Sequence, residues 1–175
     1  MRIDVIHITG ASGSGTTTLA AAIAQKYGCT HLDSDDFFWE QTDPPFTVKR
    51  PPSERQRLMR DAIADAKIRG KKCVISGSLT GWGDMFIPDF QLVIFLTTDV
   101  NIRLKRLRAR EFEQFGNRIL PGGDMEDNHR EFIEWAAKYD SGGTDMRSAA
   151  HHSQWLKMSP ALSSKWTAAG QLTTI

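Results

Sequence analysis

The chain of 175 residues has little cysteine, no long apolar run and almost no net charge. Its two cysteines, Cys29 and Cys73, form no Cys-x-x-Cys pair, which favours a reduced compartment such as the cytoplasm. The opening segment MRIDVIHITG has the pattern of a strand and not of a signal peptide. No segment approaches the ~18 apolar residues that a membrane span needs. A net charge of +1 gives no strong field for nucleic acid or an anionic membrane. These absences predict a cytoplasmic protein with neither kind of partner.

What is present is the composition of an ordinary globular domain. Hydrophobic residues make up 40% of the chain and charged residues 25%, values that are typical of soluble folded proteins. A chain of this length can bury a substantial core in one unit. We therefore expect a single domain over residues 1–175, as a monomer or a homodimer.

Short apolar segments alternate with helical segments along most of the chain. Strand-like runs occur at 3–9, 29–33, 71–77 and 90–98. A further short strand is expected either at 160–163 or at 171–175. This alternation predicts an α/β fold with a parallel sheet of about five strands, flanked by helices on both faces.

Polar clusters follow the four clearer strands. They occupy residues 10–18, 33–36 and 76–84, and the region after Thr98. Parallel strands place their carboxyl ends at one edge of the sheet, where ligands bind in open α/β folds. We therefore expect the four clusters to converge on one site.

The segment GASGSGTTTLA, residues 10–20, follows the phosphate-binding pattern G-x-x-x-x-G-K-[ST], except that Thr16 replaces the lysine. Its glycines let backbone N–H groups face an anion, and the following helix adds its positive end. Thr17 has the hydroxyl that ligates Mg²⁺ in this pattern. A ligand-free turn is the alternative, but the full spacing between a strand and a helix favours phosphate binding. The loop residues expected to hold the nucleotide are Gly10, Ser12, Gly13, Ser14, Gly15, Thr16, Thr17 and Thr18.

This loop resembles that of small P-loop kinases of the nucleoside-monophosphate-kinase superfamily. Some cytidylate kinases of that superfamily carry a similar G-S-G-T-T-T run. The resemblance covers roughly residues 1–140 and implies a three-layer P-loop NTPase fold, with ATP and Mg²⁺ as cofactors. Replacing the lysine removes a charge but keeps the backbone cradle, because Mg²⁺ and a cation from elsewhere can stabilise the phosphates.

The segment HLDSDDFFW places Asp33 and Asp35 two residues apart at a strand end, where both can face one cleft. It resembles the D-x-D of shikimate and gluconate kinases. By that resemblance, Asp33 would hold Mg²⁺, mostly through water, and Asp35 would orient the acceptor hydroxyl or accept its proton. The alternative is that these acidic residues cap a helix that begins near Asp36.

The segment after the third strand separates subclasses of the superfamily. Adenylate kinases typically carry D-G-[FY]-P-R there, whereas this chain has ISGSLTGWGD, with Ser76 at the aspartate position and no arginine following. The difference favours a small-metabolite kinase. Gly77 and Ser78 are candidates for the acceptor pocket, although Gly77 could equally serve only a tight turn.

A proline-rich flap, about 37–58, lies where the superfamily places its acceptor-binding segment. Lys49 and Arg50 could grip an anionic acceptor there. The pair His151–His152 has no carboxylate or cysteine arranged around it, so we interpret it as surface and not as a metal site.

The most basic segment, IRLKRLRARE, resembles the R-x-x-x-R at the lid entrance of monophosphate kinases. Arg106 and Arg110 lie four residues apart on one helical face. The resemblance implies that Arg106 contacts the base and Arg110 the transferring phosphoryl group, while Arg118 is a second catalytic candidate in a lid over about 108–128. The other basic residues are interpreted as a solvated helix face: Arg103, Lys105 and Arg108.

Together these features predict an ATP-binding kinase that transfers the γ-phosphate to a small acceptor, with a hydroxyl as the accepting group. A nucleoside monophosphate kinase is the near alternative, with its acceptor phosphate on Lys49 and Arg50. A non-catalytic nucleotide-binding regulator, favoured by the missing lysine, is an alternative of another class. No N-K-x-D guanine signature supports a GTPase, and VIFLTTD lacks the Asp-Glu pair of an ABC-type or AAA-type motor.

Overall fold

One six-stranded sheet organises the chain. A computed structural model describes residues 3–159, 161–167 and 172–174. The strands are β1 (Val5–Gly10), β2 (Thr30–Asp33), β3 (Cys73–Ser76), β4 (Leu92–Thr97), β5 (Leu162–Thr167) and β6 (Leu172–Thr174). Their order across the sheet is β2-β3-β1-β4-β5-β6, and all neighbours are parallel except β5 and β6.

The predicted α/β class, a parallel sheet flanked by helices, is confirmed, whereas the strand count differs from the expected five. Strands occur at both places considered for the last one, because β5 starts inside 160–163 and β6 lies inside 171–175. Residues 160, 171 and 175 themselves lie outside the described part of the chain. Side chains are described for β1 to β4, and these four strands position the site.

Six α-helices connect and cover the strands in the described ranges. None of them is both long and apolar enough to cross a membrane, within the residues that the structure describes. The helices are α1 (Thr16–Tyr27), α2 (Ser34–Phe38), α3 (Pro52–Ile68), α4 (Val100–Phe115), α5 (Glu126–Ala137) and α6 (Ala149–Leu156). Short 3₁₀ turns occur at Asp84–Asp89, Gly116–Ile119 and Lys138–Asp140.

The two faces of the sheet bury different helices. Ile8, Val74 and Ile94 point to the face that packs against α1, through Ala20. On the other face, a larger core includes side chains from α3 and α6, among them the fully buried Met59. Burial on both sides explains why β3 and β4 are nearly continuous apolar runs. The result is three layers, with helices above and below the sheet.

The register of the sheet brings the polar clusters together, as predicted. Asp33 pairs with Ser76 across β2 and β3, and Gly10 pairs with Leu96 across β1 and β4. The Thr98 hydroxyl, just beyond β4, donates to the Ser14 carbonyl oxygen at 3.2 Å. The segments after β1 to β4 therefore start from one edge of the sheet.

Candidate active site

The segment between β1 and α1 is a loop bent at glycine. Gly13 and Gly15 have φ angles of 78° and 100°, in the left-handed region that favours glycine. A Cβ on Gly13 would lie 2.8 Å from the Arg103 carbonyl oxygen, so α4 also excludes a side chain there. The Ser14 amide donates to the Ala11 carbonyl oxygen at 3.1 Å, and α1 begins two residues later. A glycine turn that leads into a helix N-terminus is a geometry that binds anions.

The hydroxyl groups of this loop differ in their surroundings. Thr17 and Thr18 are exposed, Ser12 and Thr16 are half-buried, and Ser14 is buried. Among the described residues, the Ser14 hydroxyl oxygen has no hydrogen-bond partner. A buried polar atom without a partner is costly unless a ligand or water provides one. The hydroxyl groups of this loop that are exposed to a ligand are therefore those of Thr17 and Thr18.

Asp33, at the end of β2, is fixed by three hydrogen bonds. Its Oδ2 accepts from the Thr17 hydroxyl at 2.8 Å and from the Ser76 hydroxyl at 3.0 Å, while Oδ1 accepts from the Asp35 amide at 3.1 Å. His31 Nε2 lies 2.8 Å from Ser76 Oγ and can donate to it. The capping alternative holds for Asp33, which is the N-cap of α2. Capping uses Oδ1, and the Thr17 bond uses Oδ2, so both roles coexist.

Thr17 and Asp33 have the donor chemistry of a magnesium site. Hydroxyl and carboxylate oxygens are hard ligands, and Mg²⁺ keeps several waters when proteins hold it beside phosphates. In the described ranges, no group of three or more His, Cys, Asp or Glu side chains is arranged to hold a metal ion. A cation at this edge of the sheet would therefore depend on these two side chains, on water and on phosphate oxygens, which fits Mg²⁺.

Asp35 lies in the first turn of α2, beside Asp33. Its side chain is exposed, yet desolvation by the neighbouring protein raises the pKa of its carboxyl group. The charge of Asp33 raises that pKa further, whereas Arg147 and Arg110 lower it. A carboxylate with a raised pKa is suited to accept a proton during a reaction.

The basic residues of α4 divide into two groups. Arg106 reaches the loop, with Nη1 at 3.5 Å from the Gly13 carbonyl oxygen, and Arg110 is near enough to Asp35 to lower its pKa. Arg106 therefore contacts the loop and Arg110 acts electrostatically on Asp35, while their expected roles at the base and the phosphates stay predictions. The interpretation of Arg103 as solvated is wrong: it is fully buried, donates to the Thr98 carbonyl oxygen at 3.1 Å and pairs with Asp140. Arg103 therefore lies on the buried face of α4.

Arg118 has different partners from those expected. It pairs with Asp124 and with Asp43 at 2.7 Å each, and these partners raise the pKa of its guanidinium. Asp43 belongs to the predicted flap and Asp124 to the predicted lid. In this structure, Arg118 thus links the two segments, and its catalytic role stays a prediction.

The two flap cations also have protein partners. The Arg50 guanidinium donates to the carbonyl oxygens of Asp36 and Trp39, the former at 2.8 Å, and so holds the end of α2. The Lys49 ammonium lies 5.9 Å from the centre of the Trp39 ring. Lys49 is exposed and remains available to an anion, whereas Arg50 is engaged in holding the main chain.

The segment after β3 packs against a buried histidine. Gly77 has a φ of 97°, and a Cβ there would collide with the Ser34 hydroxyl, so the position requires glycine for steric reasons. Ser78 Oγ lies 3.0 Å from His152 Nε2, and the Tyr139 hydroxyl lies 2.6 Å from His152 Nδ1. The surface interpretation of His152 is wrong, because it is fully buried, and this burial lowers its pKa to about 3.

Sequence reasoning missed Arg147, which lies in the segment between α5 and α6. Its Nη2 is 3.4 Å from the Gly10 carbonyl oxygen and 3.5 Å from Ser12 Oγ. No motif includes this position, and its distance along the chain from the loop is large. The sequence contains one indirect indication of such a residue. Thr16 replaces the lysine of the loop pattern, so a positive charge at the phosphates has to come from another part of the chain.

The fold and this site define a P-loop protein, in which a glycine loop suited to binding phosphate lies beside the carboxylates of Asp33 and Asp35. The chain belongs to the family described as AAA domain, whose model matches residues 6–134. The chain lacks the Asp-Glu pair of AAA-type motors, because β4 ends at Thr97 and Thr98 follows it.

The chain is similar to proteins and solved structures from several organisms. The Bacillus subtilis (strain 168) protein named "Uncharacterized protein YqaC" is 44% identical over 151 residues, 86% of this chain and 81% of that protein. A cytidylate kinase of Archaeoglobus fulgidus is 28% identical over 115 residues, 61% of each chain. A solved shikimate kinase from Bacteroides thetaiotaomicron has a TM-score of 0.49 and 20% identity, covering 95% of this chain and 87% of that chain. The family and the sequence relatives confirm the predicted resemblance to P-loop small-molecule kinases.

Proposed function

We propose that the protein is a Mg-ATP-dependent phosphotransferase that moves the γ-phosphoryl group to a hydroxyl of a small acceptor. The observation that carries this proposal is the 2.8 Å hydrogen bond between Thr17, at the end of the glycine loop, and Asp33. It joins the phosphate cradle to the paired carboxylates, which is the combination that phosphoryl transfer to a hydroxyl requires. A cytoplasmic location and a monomeric or homodimeric state belong to the same proposal.

In this proposal, different residues bind the phosphates, hold the cation and accept the proton. Backbone N–H groups of residues 10–18 hold the phosphate tail, and Thr17 with Asp33 holds the cation. Bound Mg²⁺ would neutralise phosphate charge and orient the nucleotide. Asp35 accepts a hydrogen bond from the acceptor hydroxyl and takes its proton as the phosphoryl group is transferred. Most of the rate enhancement then comes from positioning and from charge already in place.

The remaining predicted residues keep supporting roles in the proposal. Arg106 contacts the base and Arg110 the phosphates, as the family resemblance implies. Lys49 attracts an anionic acceptor, while Gly77 and Ser78 shape the floor of its pocket. Arg118 would act on the phosphates only after it releases Asp43, and Arg50 acts through the flap main chain that it holds.

A nucleoside monophosphate kinase is the second candidate. The cytidylate kinase relative favours it, since that similarity is in sequence and not only in fold. In this case the phosphate of the acceptor nucleotide would bind Lys49, and Asp35 would not be needed as a base. A non-catalytic nucleotide-binding regulator is the candidate from another class, and Thr16 is its main support.

Calorimetry and an acceptor screen separate the three candidates. We expect the protein to bind Mg-ATP and to consume it only when a hydroxylated metabolite is supplied. Turnover with nucleoside monophosphates as a group would favour the second candidate. Tight Mg-ATP binding without turnover on any acceptor would favour the regulator, and no binding would reject all three.

Asp35→Asn tests the proposed base. We expect turnover to fall by about 100- to 10,000-fold, because general base catalysis typically contributes that much, while Mg-ATP affinity stays nearly unchanged. The measurements are steady-state turnover with the identified acceptor and calorimetry with ATP alone. Asp36→Asn is the matched control, one residue along α2. Normal turnover of Asp35→Asn would reject the role given to this carboxylate.

A further inference from the structure

The glycine loop lacks a cation of its own, yet a cation lies beside it. Thr16 occupies the position where the loop pattern has the lysine that reaches the β- and γ-phosphates. Arg147 approaches the same loop from a distant part of the chain. Its Nη2 lies 3.4 Å from the Gly10 carbonyl oxygen and 3.5 Å from Ser12 Oγ. These distances are at the long limit of hydrogen bonding, so the contacts locate the guanidinium without using up its donors.

The position of Arg147 is held by its own segment. The next residue, Ser148, is fully buried and caps α6: its hydroxyl accepts from the His151 amide at 3.0 Å and donates to the Gly143 carbonyl oxygen at 2.6 Å. The Arg147 guanidinium also lies over the Trp135 ring, 5.4 Å from its centre. A capped helix start on one side and an aromatic face on the other fix where this charge points.

Part of the Arg147 guanidinium has no protein partner. Its Nε is buried, and within the described residues no acceptor lies within hydrogen-bond distance of it. An unpaired buried donor on a charged group is expensive, and the cost is removed when an anion supplies the acceptor. This unpaired nitrogen belongs to a guanidinium whose Nη2 contacts the glycine loop, and it indicates a ligand there.

The charges around Arg147 indicate where that ligand lies. Desolvation lowers the pKa of the guanidinium, while Asp35, Tyr139 and Asp33 favour its charged form. An arginine stays protonated in proteins, so a full positive charge is held there. In return, Arg147 lowers the pKa of Asp35. The guanidinium thus interacts electrostatically with the carboxylate proposed as the base and contacts the loop proposed to hold the phosphates.

We propose that Arg147 replaces the missing loop lysine and binds the terminal phosphates of the nucleotide through its fork of N–H donors. This inference rests on the proposed function, since it needs a polyphosphate in the loop. The loop is complete only when the segment before α6 packs against it, so Thr16 is a working substitution and not a sign of decay. An anionic acceptor is the other ligand that this charge could meet, and the contacts with Gly10 and Ser12 favour the nucleotide.

Calorimetry with ATP and ADP, in the presence of Mg²⁺ and without acceptor, tests the assignment. We expect Arg147→Gln to lose about 10- to 100-fold in ATP affinity, the usual effect of removing a charged hydrogen-bonding group. The loss for ADP should be smaller, because the terminal phosphate is absent, whereas a merely structural defect would weaken both equally. Arg57→Gln is the matched control: this exposed arginine of α3 pairs with Asp61, and we expect wild-type affinity.

A second set of variants tests whether a lysine in the loop can replace Arg147 in binding ATP. In the Arg147→Gln background, Thr16→Lys should recover about tenfold in ATP affinity, whereas in the wild-type chain it should gain less than about threefold, because the two cations serve the same phosphates. If Arg147→Gln does not fold, Arg147→Lys carries the test, with an expected loss of about fivefold, since an ammonium cannot reproduce the fork.

The outcomes are distinguishable. Wild-type ATP affinity in a folded Arg147→Gln or Arg147→Lys variant would overturn the inference and leave the proposed function intact. Unchanged ATP affinity with a raised KM for the acceptor would assign Arg147 to the acceptor and overturn it as well. No binding of Mg-ATP by the wild-type protein would overturn both.

Discussion

The two halves of the candidate site are built differently. The strand-end half, residues 10–18 and 33–36, consists of groups that follow directly after β1 and β2. The helix half consists of Arg106 of α4 together with Arg147, which contact the glycine loop from distant parts of the chain. The strand-end half is therefore set by local chain direction, and the helix half by tertiary packing.

This difference explains which side chains share a task. In the strand-end half, a single carboxylate connects the two segments, because Asp33 binds both the Thr17 hydroxyl and the Asp35 amide. In the helix half, neighbouring arginines have unrelated roles. Arg103 is fully buried as a structural residue, whereas Arg106, one helical turn later, is exposed at the loop. In the strand-end half, residues that are close in sequence share a role. In α4, residues that are close in sequence have different roles.

Removing Arg103 should produce the largest effect on stability. We expect Arg103→Ala to lower the free energy of unfolding by about 3 kcal/mol, because it leaves a cavity and deprives two carbonyl oxygens of their donor. Those carbonyl groups belong to Thr98 and Ala136. Urea unfolding measures the change. Lys105→Ala is the control on the exposed face of α4, where a change within about 0.5 kcal/mol is expected. Equal losses from both variants would contradict the division of α4 proposed here.

Removing the Thr17 hydroxyl tests the strand-end half. We expect Thr17→Val to reduce kcat/KM for Mg-ATP by about 100-fold, comparable to deleting one preorganised group that stabilises the transition state. The loss should shrink at high Mg²⁺ concentration, since a weakened cation site is filled by mass action. Thr18→Val is the matched control, because it removes the hydroxyl of the neighbouring exposed threonine and keeps the backbone N–H that the proposal assigns to the phosphates. A loss that does not depend on Mg²⁺ would reject Thr17 as a cation ligand.

The same contrast determines how much the sequence could predict. The α/β class and the convergence of the strand ends followed from motif spacing and strand direction, which are local properties. The burial of Arg103 and His152 did not, because which face of a helix becomes buried depends on its neighbours. Arg147 lacked any motif, and the pairing of Arg118 with Asp43 could not be predicted because Asp43 lies in a loop of irregular course.

The smallest effect is expected from a buried histidine behind the site. His152 bonds to Ser78 and Tyr139, and desolvation lowers its pKa to about 3 from the usual 6.5. The unfolded chain therefore binds a proton that the folded protein does not, and stability falls as the pH drops below 6.5. Burial likewise lowers the pKa of His7 to about 4, so two histidines contribute. Each slope approaches about 1.4 kcal/mol per pH unit.

His152→Gln separates this contribution from the others. We expect the decline in unfolding free energy between pH 6.5 and pH 5 to become about half as steep, because only His7 among these two histidines still charges on unfolding. The comparison uses slopes and not absolute stabilities, so hydrogen bonds lost with the imidazole do not affect the result. Urea unfolding at a series of pH values provides the measurement. If the unfolding free energies of the variant and the wild type declined in parallel, His152 would not be held neutral in the fold. The imidazole between Ser78 and Tyr139 would then have to carry a charge.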